Sequence, residues 1–163
     1  MNYCPLCRTE LVMKEVKNSE VQGCPKCGFT NWDNPTPVAT GLLLRGGKIV
    51  VVRSRTRGNQ WGLPSGFVER DERAEDALIR EVKEETNLES SVLGALGTFA
   101  VDTGKKKILL IAYEAMAEDG RLAPSSEISE IDEVPPDAAL KVLNGMEERR
   151  IVETWLKGRV KSA

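Results

Sequence analysis

The stretch "GFVERDERAEDALIREVKEETNL", residues 66–88, decides the fold of this chain. Apolar residues recur in it at the spacing of one helix face, which predicts an amphipathic helix. Acidic residues crowd the end of that helix, because Glu81 and Glu85 lie one turn apart and Glu84 lies beside them. Like charges at this spacing destabilise a helix by roughly a few tenths of a kcal/mol per pair. Basic neighbours offset only part of that cost. Either the helix presents a solvated surface, or its carboxylates serve a function.

The flanks of the helix carry start and stop signals. Asp71 and Glu72 favour the positive end of the helix, and Asp71 is the predicted N-cap. Asn87 stands where a left-handed residue ends a helix. The preceding "TRGNQWGLPSG", residues 56–66, is predicted to be a glycine-rich loop. We expect this loop and the acids to meet at one end of the fold.

The chain contains no histidine, so metal or acid–base chemistry must use carboxylates, thiolates, lysine or water. Hard cations such as Mg²⁺ and Mn²⁺ prefer oxygen ligands and leave positions open for substrate phosphates. A carboxylate cluster opposite a loop with free carbonyls offers such ligands. The pattern therefore favours a Mg²⁺ or Mn²⁺ site that generates a water nucleophile.

Further out, alternating apolar runs predict strands. Residues 38–55 form two β-rich runs around "RGGK", which indicates a hairpin. Residues 91–102 and 105–118 are two more β-rich runs, and residues 125–140 contain a short strand and a turn. Residues 146–160 form a closing amphipathic helix. The order β-β-α-β-β-β-α predicts an α/β fold, a mixed sheet with helices on its faces.

All four cysteines lie in the first 27 residues, as "CPLC" and "CPKC". Two C-x-x-C pairs separated by 16 residues match the spacing of a structural zinc site. The alternatives are two disulfides or four free thiols; a reducing cytoplasm and the doubled motif favour zinc. We predict a small zinc ribbon over residues 1–34 and a second domain over residues 35–163. The predicted zinc ligands are Cys4, Cys7, Cys24 and Cys27.

Composition excludes several classes of protein. The formal net charge of −2 indicates neither a nucleic-acid partner nor an acidic membrane surface. Apolar runs such as "ILLIAY", residues 108–113, are too short to span a bilayer, and no secretory signal is apparent. The predicted location is the cytoplasm.

Residues 66–88 resemble the Nudix box, G-x5-E-x7-R-E-U-x-E-E-x-G-U, where U is aliphatic. The matching residues are Gly66, Glu72, Arg80, Glu81, Val82, Glu84, Glu85 and Leu88. Asn87 replaces the final glycine and keeps its backbone preference. The strand order around the box is similar to the Nudix α/β/α sandwich. The resemblance implies a metal-dependent hydrolase that acts on a small-molecule nucleotide.

The resemblance also implies roles for individual residues. The implied Mg²⁺ or Mn²⁺ ligands are the carboxylates of Glu81, Glu84 and Glu85 and the carbonyl of Ser65. Arg80 would orient the helix carboxylates, and its plain alternative is a simple ion pair. Glu72 would be a structural carboxylate. Glu127, in preference to Glu130, would supply a further ligand or the base.

A ribbon joined to a Nudix domain resembles the NADH pyrophosphatase group and a group that includes FAD and ADP-ribose pyrophosphatases. The "SQPWPFPxS" mark of the first group is absent, and residues 97–115 look more like the second. The expected reaction is hydrolysis of the pyrophosphate in a nucleoside diphosphate linked to another moiety, and relatives of this type imply a homodimer. The alternatives are a house-cleaning nucleoside triphosphate pyrophosphohydrolase and a non-catalytic nucleotide-sensing adaptor.

Five residues are candidates for binding the substrate. Trp61 and Phe99 offer rings that can stack on a base, and Arg53, Arg55 and Arg57 offer charges for phosphates. Trp61 and the arginines each have a plainer alternative. Trp61 is equally a core residue, which is the commoner fate of large aromatics, and the arginines are equally a solvated strand edge.

Overall fold

The structure, a computed structural model, describes residues 2–104, 106–118 and 120–160. The chain divides into two compact units, Met1–Pro35 and Thr36–Ala163. The division falls one residue after the predicted domain boundary.

The N-terminal unit is a small antiparallel sheet whose turns are set by local sequence. Lys17 and Asn18 have positive φ values of 48° and 64°, as a two-residue hairpin turn requires. Its core cluster consists of Cys4, Leu11 and Cys24, so two cysteines dominate it, and Val21 is a further buried residue. The strands of this unit are β1 (Val12–Val16), β2 (Ser19–Gly23) and β3 (Thr30–Asn31).

The second unit is built on a seven-stranded mixed sheet. The strands are β4 (Thr36–Arg45), β5 (Lys48–Ser54), β6 (Gln60–Gly62), β7 (Ser65–Phe67), β8 (Ser90–Asp102), β9 (Lys107–Ala117) and β10 (Ile128–Val134). Their order is β10-β5-β4-β9-β8, with β6 against β5 and β7 against β4. Strands β4 and β9 run parallel, and the other pairs run antiparallel.

Helices cover both faces of this sheet, which confirms the α/β/α sandwich. The helices are α1 (Ala74–Thr86), α2 (Pro136–Val142) and α3 (Met146–Val160). Leu43 of β4 packs in the cluster that contains Leu78 of α1. Its neighbour Leu42 packs in the other cluster. That cluster contains Leu143, which follows α2, and Ile151, which lies on α3. Successive residues of a strand point to opposite faces, so α1 lies on one side and α2 and α3 on the other.

Local signals in the sequence are mostly confirmed. Gly46 and Gly47 have φ values of 55° and 78° and form the predicted hairpin turn between β4 and β5. Asn87 ends α1 with a φ of 64°, and its N–H donates to the Lys83 carbonyl. The predicted N-cap is wrong: α1 begins at Ala74, and Asp71 lies in the preceding turn with a φ of 64°.

Helix α2 is a difference from the sequence prediction, which placed a turn after the strand now numbered β10. Its seven residues are too few to show helical periodicity, and one proline precedes it while a second is its first residue. Pro136 nevertheless suits the first turn of a helix, where its missing N–H costs nothing. Among the described residues, no helix is long and apolar enough to cross a membrane.

Candidate active site

The first chemical cluster is the set of four cysteines in the N-terminal unit. Their Sγ atoms all lie within 4.8 Å of one another. The pairs Cys4–Cys27 and Cys7–Cys24 have Sγ–Sγ distances of 3.5 Å and 3.4 Å, and no disulfide joins them. Four thiolates at this spacing can share one Zn²⁺ with Zn–S distances of about 2.3 Å. The predicted ligands are therefore brought together, and the donor set fits zinc.

Backbone turns present these sulfurs. The N–H of Arg8 donates to the Cys4 carbonyl at 2.9 Å, and the N–H of Gly28 donates to the Cys24 carbonyl at 3.2 Å. Gly28 has a φ of 80°, which a residue with a side chain rarely adopts. Each C-x-x-C pair thus curls so that both of its sulfurs join the cluster.

The second cluster lies on α1, where Arg80 connects the carboxylates. Its Nε and Nη2 donate to Glu72 at 2.9 Å and 3.1 Å, and its Nη1 donates to Glu81 at 2.7 Å. The Nη2 atom also donates to the carbonyl of Phe67, and Glu84 lies 3.5 Å from Nη1. The hydrogen bond from Arg80 lowers the pKa of Glu72. Arg80 thus connects α1 to the loop before it. Glu72 influences the position of the helix carboxylates through its hydrogen bonds to Arg80.

Gly66 lies directly against the carboxylate of Glu81. A Cβ atom at this position would collide with the carboxyl carbon and both oxygens of Glu81. Strand β7 is held in place by its pairing with β4, so Glu81 would have to move. The glycine of the box is therefore needed for close approach, and not for an unusual backbone angle.

Gly66→Ala is expected to lower kcat for metal-dependent hydrolysis by roughly 10- to 100-fold, because displaced ligands bind metal poorly. Steady-state kinetics over a range of Mg²⁺ concentrations measures this, and the loss should be largest below saturation. Gly94→Ala is the matched control, since Gly94 also lies in a strand and a Cβ there meets nothing within 4 Å. Equal activity in both variants would contradict the role given to Glu81.

Glu85 is the most enclosed carboxylate of the cluster, with its side chain 12% exposed. Its Oε2 accepts the N–H of Ser65 at 3.1 Å, and Nη2 of Arg57 lies 3.8 Å from its Oε1. Burial raises the pKa of Glu85 to about 7, although Arg57 and the Ser65 N–H oppose the rise. An anion enclosed in this way is unfavourable by itself, and a bound cation would offset the cost.

These carboxylates open into a cavity of about 470 Å³. Glu81, Glu85 and Glu127 lie on its acidic side. A second hollow of about 370 Å³ shares these three residues and adds Arg80 and Glu84. The structure thus brings the predicted catalytic residues to one place, and it places Glu130 elsewhere, in an ion pair with Arg53.

Another part of the cavity lining is apolar. Val38 of β4 lies directly across from Phe67 of β7 and from Leu110 of β9, so the three share one face of the sheet. Ile108 lies two residues before Leu110 and extends the same wall. Phe67 is 52% exposed, and Nζ of Lys106 lies 5.9 Å from its ring centre. The lining of the cavity therefore combines charged and apolar groups.

The oxygen donors of the cavity fit Mg²⁺ or Mn²⁺. Glu81, Glu84 and Glu85 of α1 and the Ser65 carbonyl of β7 are oxygen donors, the type of ligand that these hard cations prefer. Among the described residues, only the cysteines have ligand atoms all within 4.8 Å of one another. The carboxylate oxygens of the cavity lie farther apart than the cysteine sulfurs, because Arg80 holds Glu81 and the Ser65 N–H holds Glu85.

Of the three arginines predicted to bind phosphates, Arg57 lines the cavity, and the other two are engaged elsewhere. Arg53 pairs with Glu130 at 2.8 Å, and Arg55 donates to the carbonyls of Ser126 and Ile128 at 2.8 Å and 2.6 Å. Both side chains fasten the segment around β10 to β5. Neither is among the described residues that line the cavity.

The two predicted aromatics also lie away from the cavity. Trp61 and Phe99 pack against the core cluster on the α2 and α3 side of the sheet. The guanidinium of Arg150 lies 5.6 Å from the ring centre of Phe99. For Trp61 this matches the plainer alternative, a core residue. The exposed ring at the cavity is that of Phe67, which sequence reasoning missed although it directly follows the box glycine.

Comparison with known proteins gives a consistent picture. Residues 35–156 match the NUDIX domain. The NAD-capped RNA hydrolase NudC of Pseudomonas aeruginosa is 25% identical over 164 residues, covering 96% of this chain and 56% of that protein. An 8-oxo-(d)GTP phosphatase of Mycolicibacterium smegmatis is 32% identical over 111 residues, covering 66% of this chain and 34% of that protein. The chain thus spans about half, or less, of the length of these curated relatives.

Solved structures share the fold. A NUDIX hydrolase from Nitrosomonas europaea superposes with a TM-score of 0.83, covering 99% of this chain and 93% of that one. The sequence identity between the two is 18%, so the similarity concerns the fold alone.

Proposed function

The chain belongs to the Nudix family, and we propose that it hydrolyses the pyrophosphate of a nucleoside diphosphate linked to a second moiety, as in FAD, ADP-ribose or NADH. The observation that carries this proposal is the cavity, whose lining combines box carboxylates with apolar side chains that include a half-exposed ring. A pyrophosphate with an organic group on each side has both properties. Divalent cations held by the carboxylates would attract the anionic pyrophosphate, and a base or flavin ring suits the apolar lining.

The residues divide the work of hydrolysis among them. When bound, divalent metal neutralises phosphate charge and lowers the pKa of a water molecule. Glu81, Glu84 and Glu85, with the Ser65 carbonyl, would hold it, and Arg80 keeps Glu81 in position. The water oxygen bonds to one phosphorus as the bridging P–O bond breaks, and the leaving monophosphate takes the electron pair. Glu127, which lines the same cavity, would accept the proton that the water releases.

The relatives support this substrate class. The Pseudomonas aeruginosa relative matches almost the whole of this chain, and its name gives NAD-capped RNA as its substrate. NAD joins two nucleosides through a pyrophosphate. The second relative, named for 8-oxo-(d)GTP, favours the alternative in which a damaged nucleoside triphosphate is cleaved.

A substrate panel separates these readings. Purified protein with Mg²⁺ or Mn²⁺ is incubated with FAD, NADH, ADP-ribose and 8-oxo-dGTP, and products are resolved by chromatography. We expect a nucleoside monophosphate from at least one dinucleotide or from ADP-ribose. Turnover of 8-oxo-dGTP alone would establish the alternative. Tight nucleotide binding with no turnover would indicate an adaptor and overturn the proposal.

Phe67→Ala is expected to raise KM by about tenfold with little change in kcat, since stacking on an aromatic ring is worth about 1–3 kcal/mol per base. The side chain is 52% exposed, so the variant should fold normally. Its backbone carbonyl, which accepts from Arg80, is unchanged. Leu93→Ala is the control, because Leu93 is equally exposed but lies on β8, away from the cavity. An unchanged KM would place the organic moiety elsewhere.

A further inference from the structure

Glu148 on α3 is a buried carboxylate that the proposed reaction does not use. Its side chain is 17% exposed. A Cβ atom added to Gly62 or to Gly145 would collide with its carboxylate oxygens. Burial raises the pKa of Glu148, while the charge of Arg57 and the backbone amides of Leu63 and Gly145 lower it. Two glycines and two amides thus accommodate an acid where an apolar residue would be easier to bury.

Arg57 lies between Glu148 and Glu85 and pairs fully with neither. Its Nη1 lies 3.6 Å from Glu148 Oε1, and its Nη2 lies 3.8 Å from Glu85 Oε1. Both distances are longer than a hydrogen bond. Its Nη1 donates instead to Oγ of Ser65 at 2.9 Å, and its Nη2 is buried without a hydrogen-bond partner. One guanidinium is therefore shared by two enclosed carboxylates.

We infer that Glu148 is a positioning residue that holds Arg57 back from Glu85 and so leaves Glu85 available to a divalent cation. Arg57 and a metal ion compete for Glu85, because both are cations near the same oxygens. The carboxylate of Glu148 balances the charge of Arg57 from the opposite side. Without it, Glu85 would become the nearest carboxylate for Arg57. The inference rests on the proposed function only in taking Glu85 as a metal ligand.

The test measures binding of Mn²⁺ alone to the full chain, by electron paramagnetic resonance of the free ion and by calorimetry. Mn²⁺ prefers oxygen ligands and leaves the cysteine cluster to softer metals. Glu148→Gln is expected to weaken Mn²⁺ binding by about tenfold, since a neutral amide no longer balances Arg57. The double variant Glu148→Gln with Arg57→Gln should lose this defect, because the competing cation is gone. Its affinity for Mn²⁺ is expected to lie within about twofold of that of Arg57→Gln alone.

Glu147→Gln is the matched control. Glu147 precedes Glu148 on α3, is 20% exposed and also faces an arginine, Arg150 at 3.6 Å. This variant should bind Mn²⁺ like the wild type. Thermal unfolding of each variant separates a general loss of structure from a local loss of affinity.

Two results would overturn the inference: wild-type affinity in Glu148→Gln, or a double variant that stays as weak as Glu148→Gln. The double variant removes both buried charges, so it remains informative where the single variant folds poorly. Absence of Mn²⁺ binding in the wild type would overturn both the inference and the proposed function. The expected Mn²⁺ pattern with no nucleotide turnover would overturn the proposed function alone.

Discussion

Glu85→Gln is expected to lower kcat for pyrophosphate hydrolysis by on the order of 10³-fold, the largest effect that any one side chain of the cavity should show. Glu85 is the most enclosed carboxylate and faces the strand that carries Ser65. Glutamine keeps its shape and its hydrogen bond but supplies no charge to a cation. The comparison is made by single-turnover kinetics across a Mg²⁺ titration, which separates weaker metal binding from slower chemistry.

Folding should survive this change. Burial raises the pKa of Glu85 to about 7, so its negative charge disfavours the folded state above neutral pH, and a neutral amide removes that cost. The melting temperature of Glu85→Gln at pH 8 should therefore equal or exceed that of the wild type. Glu89→Gln is the control, since Glu89 is 61% exposed and pairs with Lys83 outside the cavity. Full activity in Glu85→Gln would refute the assigned role.

Removal of zinc from the N-terminal unit is expected to unfold that unit. Its core consists of Cys4, Leu11 and Cys24 with few partners, which is too little to fold without metal. Binding of a structural Zn²⁺ contributes about 10–16 kcal/mol in units of this size. Chelation or Cys24→Ser should collapse the dispersed amide resonances of residues 2–35 in a heteronuclear NMR spectrum. Elemental analysis of the untreated protein should find one zinc per chain.

The second unit provides the internal reference for that experiment. It has two core clusters of its own, so the resonances of α1 and of the central strands should persist after chelation. Zn²⁺, and not Mg²⁺, should restore the lost signals, because thiolates prefer the softer ion. A fully dispersed spectrum without metal would show that the cysteines are not structural ligands.

The fold could be predicted where local signals agree with the global arrangement. The glycine pair of the β4–β5 hairpin and Asn87 at the end of α1 each demand one backbone geometry, and the structure has it. Asp71 misled the prediction because acids favour both helix starts and the turns before them. Helix α2 was not predicted, because its seven residues cover fewer than two full turns and so show no helical period.

From spacing alone, the site was predictable only where residues share one element; Ser65 and Glu127, which line the cavity, were expected there only through the family resemblance. Glu81, Glu84 and Glu85 lie on a single helix, so their spacing alone placed them together. Phe67 and Glu148 reach the cavity region through the pairing of β7 and the packing of α3, and nothing in their neighbouring residues indicates that. The expected dimer and the cytoplasmic location stay predictions.

The parallel pairing of β4 with β9 has a consequence for the order of events during synthesis. Residues 36–44 must find residues 108–116, a separation that makes this contact slow to form compared with hairpins and helices. A nascent chain that has emerged only as far as α1 already carries every carboxylate of the box. It lacks Leu110 and Glu127, so the carboxylates are present before the cavity has formed. The ability to hydrolyse a substrate should therefore appear late in biogenesis, after β9 has paired with β4.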